Sequence, residues 1–310
     1  MLALTCIPPN DTSRCLPTES CKRSLLSVPF QDRITVTQRV SGMSSYPDRA
    51  FTESIAMPNN YENALNRKLQ NGEKTIGFWV TLESPSITEI AVAMGVDWVV
   101  IDAEHGHLDF KDVVEHLRAA WNSNTTALVR IQEIEQGLIK RVLDIGAEGI
   151  IVPQITCAAE VEAAVRFSKY PPQGVRGVGG ERATRWGSDL AGYTSVANDE
   201  TLVIPMMETI DAESDIEAIL QVDGVDGFFF GPADFSATAG YVGQWEGPGI
   251  AERILTLKDR IVSAGKACGV MGTDLDNAKM RCDQGFQMVG LASDVGMLIS
   301  GIRKAQEVLP

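Results

Sequence analysis

The chain has 310 residues, 44% hydrophobic and 22% charged, an ordinary balance for a globular protein. Its net charge is −14 and no basic stripe interrupts the acidic surface, which argues against nucleic acid or an anionic membrane as partner. No apolar run reaches the roughly 18 residues of a membrane span, and a single α/β barrel fits this length without a second domain.

Residues 1–55 are rich in Ser, Thr and Pro and lack periodicity. They read as a disordered N-terminal extension, with one barrel domain over 56–310. Cys6, Cys15 and Cys21 lie in this extension, and Cys157, Cys268 and Cys282 in the body; none forms a C-x-x-C pair. Free thiols in a reducing compartment are expected. The cytoplasm is the expected location, and the mixed basic and acidic extension leaves a mitochondrial transit peptide as the alternative.

From Asn60 the pattern becomes regular. A helix is predicted over Asn60–Gln70. Strands are predicted at Thr75–Leu82, Trp98–Glu104, Thr126–Ile131, Gly149–Ile155, Leu202–Glu208, Gly227–Gly231, Ala267–Gly272 and Met288–Leu291. Amphipathic helices are predicted between them: Ser86–Met94, Phe110–Trp121, Gly137–Ile145, Ala158–Ser168, Ala212–Leu220, Ile250–Ala264 and Leu275–Gln284. A last helix, Gly296–Val308, closes the chain. Gly95, Gly146, Gly265 and Gly285 stand where helix C-caps belong. Eight strands each followed by a helix predict an α/β fold of the (β/α)8 TIM-barrel type. An open doubly wound sheet lacks support, because no Gly-rich dinucleotide loop follows the first strand. One long connection, from Tyr170 to about Glu200, is expected to form an ordered flap over the barrel mouth.

In such a barrel the C-terminal strand ends form the active face. That places Glu104, His105, Arg130, Gln154, Glu208 and Asp234 on one rim. Glu208 and Asp234 end two successive strands, and two hard carboxylates with room for water suit Mg²⁺, Mn²⁺ or Co²⁺. Zinc would favour His or Cys, and neither is adjacent. The alternative is that each acid caps the helix after it. His105 is one of three histidines and suits a general base, oriented by Asp102 or Glu104. Arg130 ends an apolar strand and needs a partner, either a substrate carboxylate or enolate, or an acid inside the barrel. Asp144 is a further candidate on the third strand-following helix. His116 is expected to be exposed.

At these residues the chain resembles the HpcH/HpaI aldolase family of class II pyruvate aldolases. The likeness spans about residues 60 to 308. It rests on Asp102-Ala-Glu-His105, Val129-Arg130, Leu143-Asp144-Ile-Gly-Ala, Tyr170-Pro-Pro-Gln-Gly-Val-Arg-Gly-Val-Gly, Met207-Glu208-Thr and Gly231-Pro-Ala-Asp234-Phe-Ser. It implies a TIM barrel, a divalent metal held by Glu208 and Asp234, and a hexamer built as a trimer of dimers. By the same likeness His105 would be the base, assisted by Asp102. Arg130 would stabilise a pyruvate enolate, and Asp144 would reach a neighbouring subunit's site. The backbone around Gly231, Pro232 and Ala233 would hold the substrate carboxylate, with Leu291 beside the substrate. Many members carry Gln two residues before the metal-binding Glu; here that place is Met206.

The implied reaction is metal-assisted cleavage of a 4-hydroxy-2-keto acid to pyruvate and an aldehyde. Oxaloacetate decarboxylation, or a macrophomate-synthase-like reaction, would use the same enolate. A CoA-ester lyase would need a basic adenine-phosphate site, and no basic cluster provides one. No lysine Schiff base is required.

Overall fold

The structure is a computed structural model that describes residues 61–308; the expected N-terminal extension lies outside them. Eight strands form one closed, wholly parallel barrel in chain order, with β8 pairing back onto β1. The strands are β1 (Thr75–Val80), β2 (Trp98–Asp102), β3 (Thr126–Arg130), β4 (Gly149–Val152), β5 (Leu202–Met207), β6 (Gly227–Phe230), β7 (Ala267–Met271) and β8 (Met288–Ser293). The helices are α1 (Ala64–Gln70), α2 (Pro85–Ala93), α3 (Phe110–Ala119), α4 (Gln136–Asp144), α5 (Ala158–Ser168), α6 (Leu190–Glu200), α7 (Ile210–Ser214), α8 (Ile216–Ile219), α9 (Pro232–Thr238), α10 (Ile250–Ser263), α11 (Leu275–Asp283) and α12 (Asp294–Gln306). None is long and apolar enough to cross a membrane.

Strand side chains alternate between two cores. Outward residues such as Val99, Ile101, Val129, Ile150, Val203, Phe228 and Val289 pack against the helices. Inward residues, among them Trp79, Trp98, Val100, Leu128, Ile151, Ile204, Met206, Phe229 and Met288, fill the barrel. Each such side chain contributes roughly 1.5–3 kcal/mol by leaving water. The interior needs a glycine at one layer: a Cβ on Gly77 would collide with the Trp98 indole. Helix α1 seals the N-terminal end, or foot. Its Leu65 and Leu69 join the inner core, and the Asn63 side-chain amide donates to the Glu148 and Glu200 carbonyls at 3.0 and 3.1 Å.

Four expectations are corrected. The Tyr170–Glu200 connection does not cover the mouth. It leaves α5 and enters β5, so it lies at the foot, where helices end and strands begin; it also contains a 3-10 turn, Arg182–Thr184, and the unforeseen α6. The expected helix Ala212–Leu220 is broken at Asp215, whose carboxylate turns aside to accept the Ala158 amide at 2.7 Å. Asp234 sits in the first turn of α9, not at a strand end. His116 is fully buried, with Nδ1 2.8 Å from Thr88 Oγ1. The predicted helix caps Gly95, Gly146, Gly265 and Gly285 all adopt positive φ.

Candidate active site

The period of two along each strand decides which side chains reach the mouth. Trp98, Val100 and Asp102 point inward on β2, and Asp102 lies in register with Arg130 on β3. Adjacent inward positions therefore hold opposite charges. Arg130 Nε donates to Asp102 Oδ1 at 3.0 Å, Nη2 donates to Oδ2, and Nη1 lies 2.9 Å from Glu104 Oε2. The Trp79 indole N–H, from the inward face of β1, donates to Asp102 Oδ2 at 3.0 Å. The amides of Glu104 and His105 also donate to Asp102 Oδ1, at 3.0 and 3.2 Å. Burial opposes the Asp102 charge, but the hydrogen bonds and charge of Arg130, helped by Trp79, outweigh it and hold the carboxyl below its usual range. Arg130 is thus paired with barrel acids, one of the two partners expected for it.

His105 leaves the strand end as expected, and its side chain is 61% exposed. Asp102 holds the His105 backbone, not its ring. The ring nitrogen Nε2 is 3.9 Å from Glu104 Oε1, so Glu104 is the acid beside it.

Glu208 follows Met206 by two and continues the inward face of β5. It is 0% exposed. Oε1 accepts the Gln154 amide at 2.7 Å, and Gln154 adopts a left-handed φ of 52°. Oε2 has no hydrogen-bond partner. Burial pushes the Glu208 carboxyl up to about 8; Asp234 and Glu104 push the same way, against the Gln154 amide and Arg130. The charges of Asp234 and Asp102 likewise act on Glu104, whose carboxyl burial raises. Glu104, Glu208 and Asp234 therefore converge electrostatically. A cleft of about 370 Å³ opens at the foot, lined by Tyr61, Trp121, Glu148 and Tyr193 among others, and holds none of these acids.

Residues 75–301 match the model of the family described as HpcH/HpaI aldolase/citrate lyase. The chain belongs to this family. It is 35% identical over 244 residues to the hydroxypyruvate/pyruvate aldolase of Pseudomonas aeruginosa, covering 78% of this chain and 91% of that protein. It is 37% identical over 233 residues to the 4-hydroxy-2-oxovalerate aldolase of Novosphingobium aromaticivorans, covering 75% and 88%. An HpcH/HpaI aldolase/citrate lyase family crystal structure from Burkholderia cenocepacia superposes with a TM-score of 0.75 at 33% identity, over 80% of this chain and all of that one. Like its HpcH/HpaI aldolase relatives, the protein is a carbon–carbon lyase.

Not every candidate joins the rim of this family member. Asp144 ends α4 at the foot, where Arg176 Nη2 donates to it at 2.9 Å. Leu291 is half-buried and packs against the outer core. Pro232 is buried and has no N–H, so the backbone donors beside Gly231 are the amides of Ala233 and Asp234. Trp79 was missed as a site residue, although its alternation with Thr75 and Gly77 marks it as inward.

The donor set fits a hard divalent cation. Glu208 Oε2 is buried without a partner, and a Cβ on Gly231 would strike that same oxygen, so glycine keeps the space before it open. Asp234 and Glu104 add their charge to that of Glu208, against a single guanidinium already paired with Asp102 and Glu104. Among the described residues no group of three or more His, Cys, Asp or Glu closes a metal cage. Two carboxylates would leave positions for water and substrate oxygens, as Mg²⁺ and Mn²⁺ favour.

Proposed function

We propose that the protein is a divalent-metal-dependent aldolase that cleaves a 4-hydroxy-2-oxo acid to pyruvate and an aldehyde. The observation that carries this reading is the buried, unpartnered Glu208 oxygen facing the space at Gly231, beside Arg130. Glu208 and Asp234 would hold the ion, which when bound supplies a Lewis acid for the 2-oxo and carboxylate oxygens. Arg130, fixed by Asp102, stabilises negative charge as it develops on the enolate oxygen. The amides of Ala233 and Asp234 receive the substrate carboxylate. His105, set by Glu104, takes the C4 hydroxyl proton. The C3–C4 bond then breaks, its electron pair passes into the enolate, and the C4 carbon leaves as aldehyde. C3 then gains a proton to give pyruvate, balancing the one His105 took from the C4 hydroxyl.

The relatives from Pseudomonas and Novosphingobium, named for hydroxypyruvate/pyruvate and 4-hydroxy-2-oxovalerate aldolase activities, support this substrate class. A homo-oligomer, a hexamer by the family likeness, is part of the same reading. Helix α12 supports it by exposing Val295, Leu298, Ile299 and Ile302, an apolar face a second copy would cover. The small-molecule reaction and the absence of a spanning helix among the described residues are compatible with a cytoplasmic location.

The test is pyruvate release from a panel of 4-hydroxy-2-oxo acids, with oxaloacetate alongside. Aldehyde and pyruvate should form together, stop with EDTA and return with Mg²⁺, Mn²⁺ or Co²⁺. CO₂ release from oxaloacetate without any aldol cleavage would replace this reading with a decarboxylase. Full activity without metal, trapped by borohydride, would overturn it altogether.

A further inference from the structure

Trp79 is 5% exposed and packs on Phe229 inside the barrel, with ring centroids 5.5 Å apart. It makes two contacts with the charged pair above it. Its N–H donates to Asp102 Oδ2, and the Arg130 guanidinium carbon lies 5.1 Å from its ring centroid. The strand is irregular here. Gly77 and Trp79 on β1 pair with Gly290 and Ser293 on β8, so two steps on one strand face three on the other. Such bulges re-aim side chains beside active sites.

We propose that Trp79 is a positioning residue that fixes Asp102 and Arg130 for enolate stabilisation, an inference that rests on the aldolase reading. The Glu104 and His105 amides hold Asp102 Oδ1, but without the indole Oδ2 would have only the guanidinium, and the two could shift together about Oδ1. The indole removes that freedom from both partners. It anchors Oδ2 from the barrel floor and supports the guanidinium from the ring face. Asp102 then grips the Nε and Nη2 edge of Arg130. The Nη1 edge, 2.9 Å from Glu104 Oε2, is the part of the guanidinium that Asp102 does not hold.

The experiment compares wild type, Trp79→Phe, Trp79→His and Arg130→Ala, with Trp79→Phe repeated in the Arg130→Ala background. Mg²⁺-loaded full-length protein is assayed for proton exchange at C3 of pyruvate by NMR, which integrates slow rates over days, and for aldol cleavage. Trp79→Phe keeps a ring and loses the N–H. It should lower kcat about tenfold in both assays and change KM less than about twofold. Trp79→His keeps a ring N–H and should recover part of that loss. In the Arg130→Ala background, Trp79→Phe should cost less than about twofold, because its effect runs through the missing guanidinium. An undiminished tenfold cost there, or wild-type kcat in Trp79→Phe, would overturn the proposal. Were Trp79→Phe to unfold, the Trp79→His comparison in the two backgrounds decides the matter by the same criterion. Absence of exchange and cleavage in wild type would instead reject the aldolase reading.

Discussion

The rim and the foot of this barrel both bury charge, and they treat it differently. At the foot, Lys169 Nζ donates to the Asn198 and Thr201 carbonyls, both at 2.7 Å. Arg182 donates to the Ile145 and Leu117 carbonyls, and Arg176 donates to Asp144 between the rings of Tyr170 and Tyr193. These cations tie the long connection to the barrel. At the rim, one acid keeps an oxygen in reserve. Among the described residues, Glu208 Oε2 is a buried carboxylate oxygen with neither a hydrogen bond nor an ion pair, whereas Glu104 Oε2 lies 2.9 Å from Arg130 Nη1. Burying an unsatisfied carboxylate opposes stability, so the rim is built for something that arrives later.

The sharpest way to break this contrast is to neutralise the rim. Glu208→Gln and Asp234→Asn should each lower turnover at least about a thousandfold, the value of a lost Lewis acid, while circular dichroism and Tm show an intact fold. Calorimetric titration with Mg²⁺ should show weakened binding in both. Comparable ion binding in either variant would remove that residue from the ligand set.

Arg130→Ala should slow pyruvate proton exchange and cleavage together, by roughly a hundredfold. His105→Ala should slow cleavage by about 10²–10⁴-fold and exchange by less, because exchange involves no C4 hydroxyl. Equal losses in both assays would assign His105 a role in enolate formation instead.

The foot should respond in the opposite sense. Asp144→Asn removes the counter-charge of the wholly buried Arg176 side chain. It should cost about 3 kcal/mol in urea unfolding and leave turnover per folded molecule unchanged. Lost turnover at unchanged stability would assign Asp144 to a neighbouring subunit's site.

The last effect concerns pH. Burial raises the Glu208 carboxyl from 4.5 to about 8 in the folded chain. The native state then holds a proton that the unfolded chain releases, so metal-free protein loses stability as pH rises from about 5 to 8. The loss should run at about 1.4 kcal/mol per pH unit and should disappear in Glu208→Gln or with saturating Mg²⁺. A wild-type stability curve that parallels Glu208→Gln across this range would show that the carboxyl is not held protonated.

Much of the rim was legible because strand periodicity is strict. Counting by twos from Trp98 reaches Asp102, and from Leu202 reaches Glu208. Alternation of strand and helix also carried the barrel. The direction of a connection was equally readable, yet length drew attention to the Tyr170–Glu200 segment and obscured its origin at a helix end. Helix α6 escaped because Gly192, Thr194, Ser195 and Asn198 give it little intrinsic preference. Asp234 carried a helix signal, Pro232 at the first helical position. The burial of His116 was also signalled, since it shares a face with Val113 and Leu117. The Trp79–Asp102 hydrogen bond was not readable, because it depends on the β1–β2 register, which sets Trp79 opposite Val100, one inward step before Asp102.

The aromatic filling of the barrel bears on how this protein can change over evolutionary time. Trp98, Phe229 and Trp79 stand in contact between the sealed foot and the charged mouth, with ring centroids 5.9 and 5.5 Å apart. That stack insulates one end from the other. Substitutions that alter folding strength at the foot and substitutions that alter chemistry at the mouth share few neighbours, so their free energies should combine by simple addition. Trp79 is where the insulation ends, because it belongs to the stack and touches the charged pair. Selection could therefore retune the mouth toward a new aldehyde while the foot absorbs the stability cost, provided the stack is left alone.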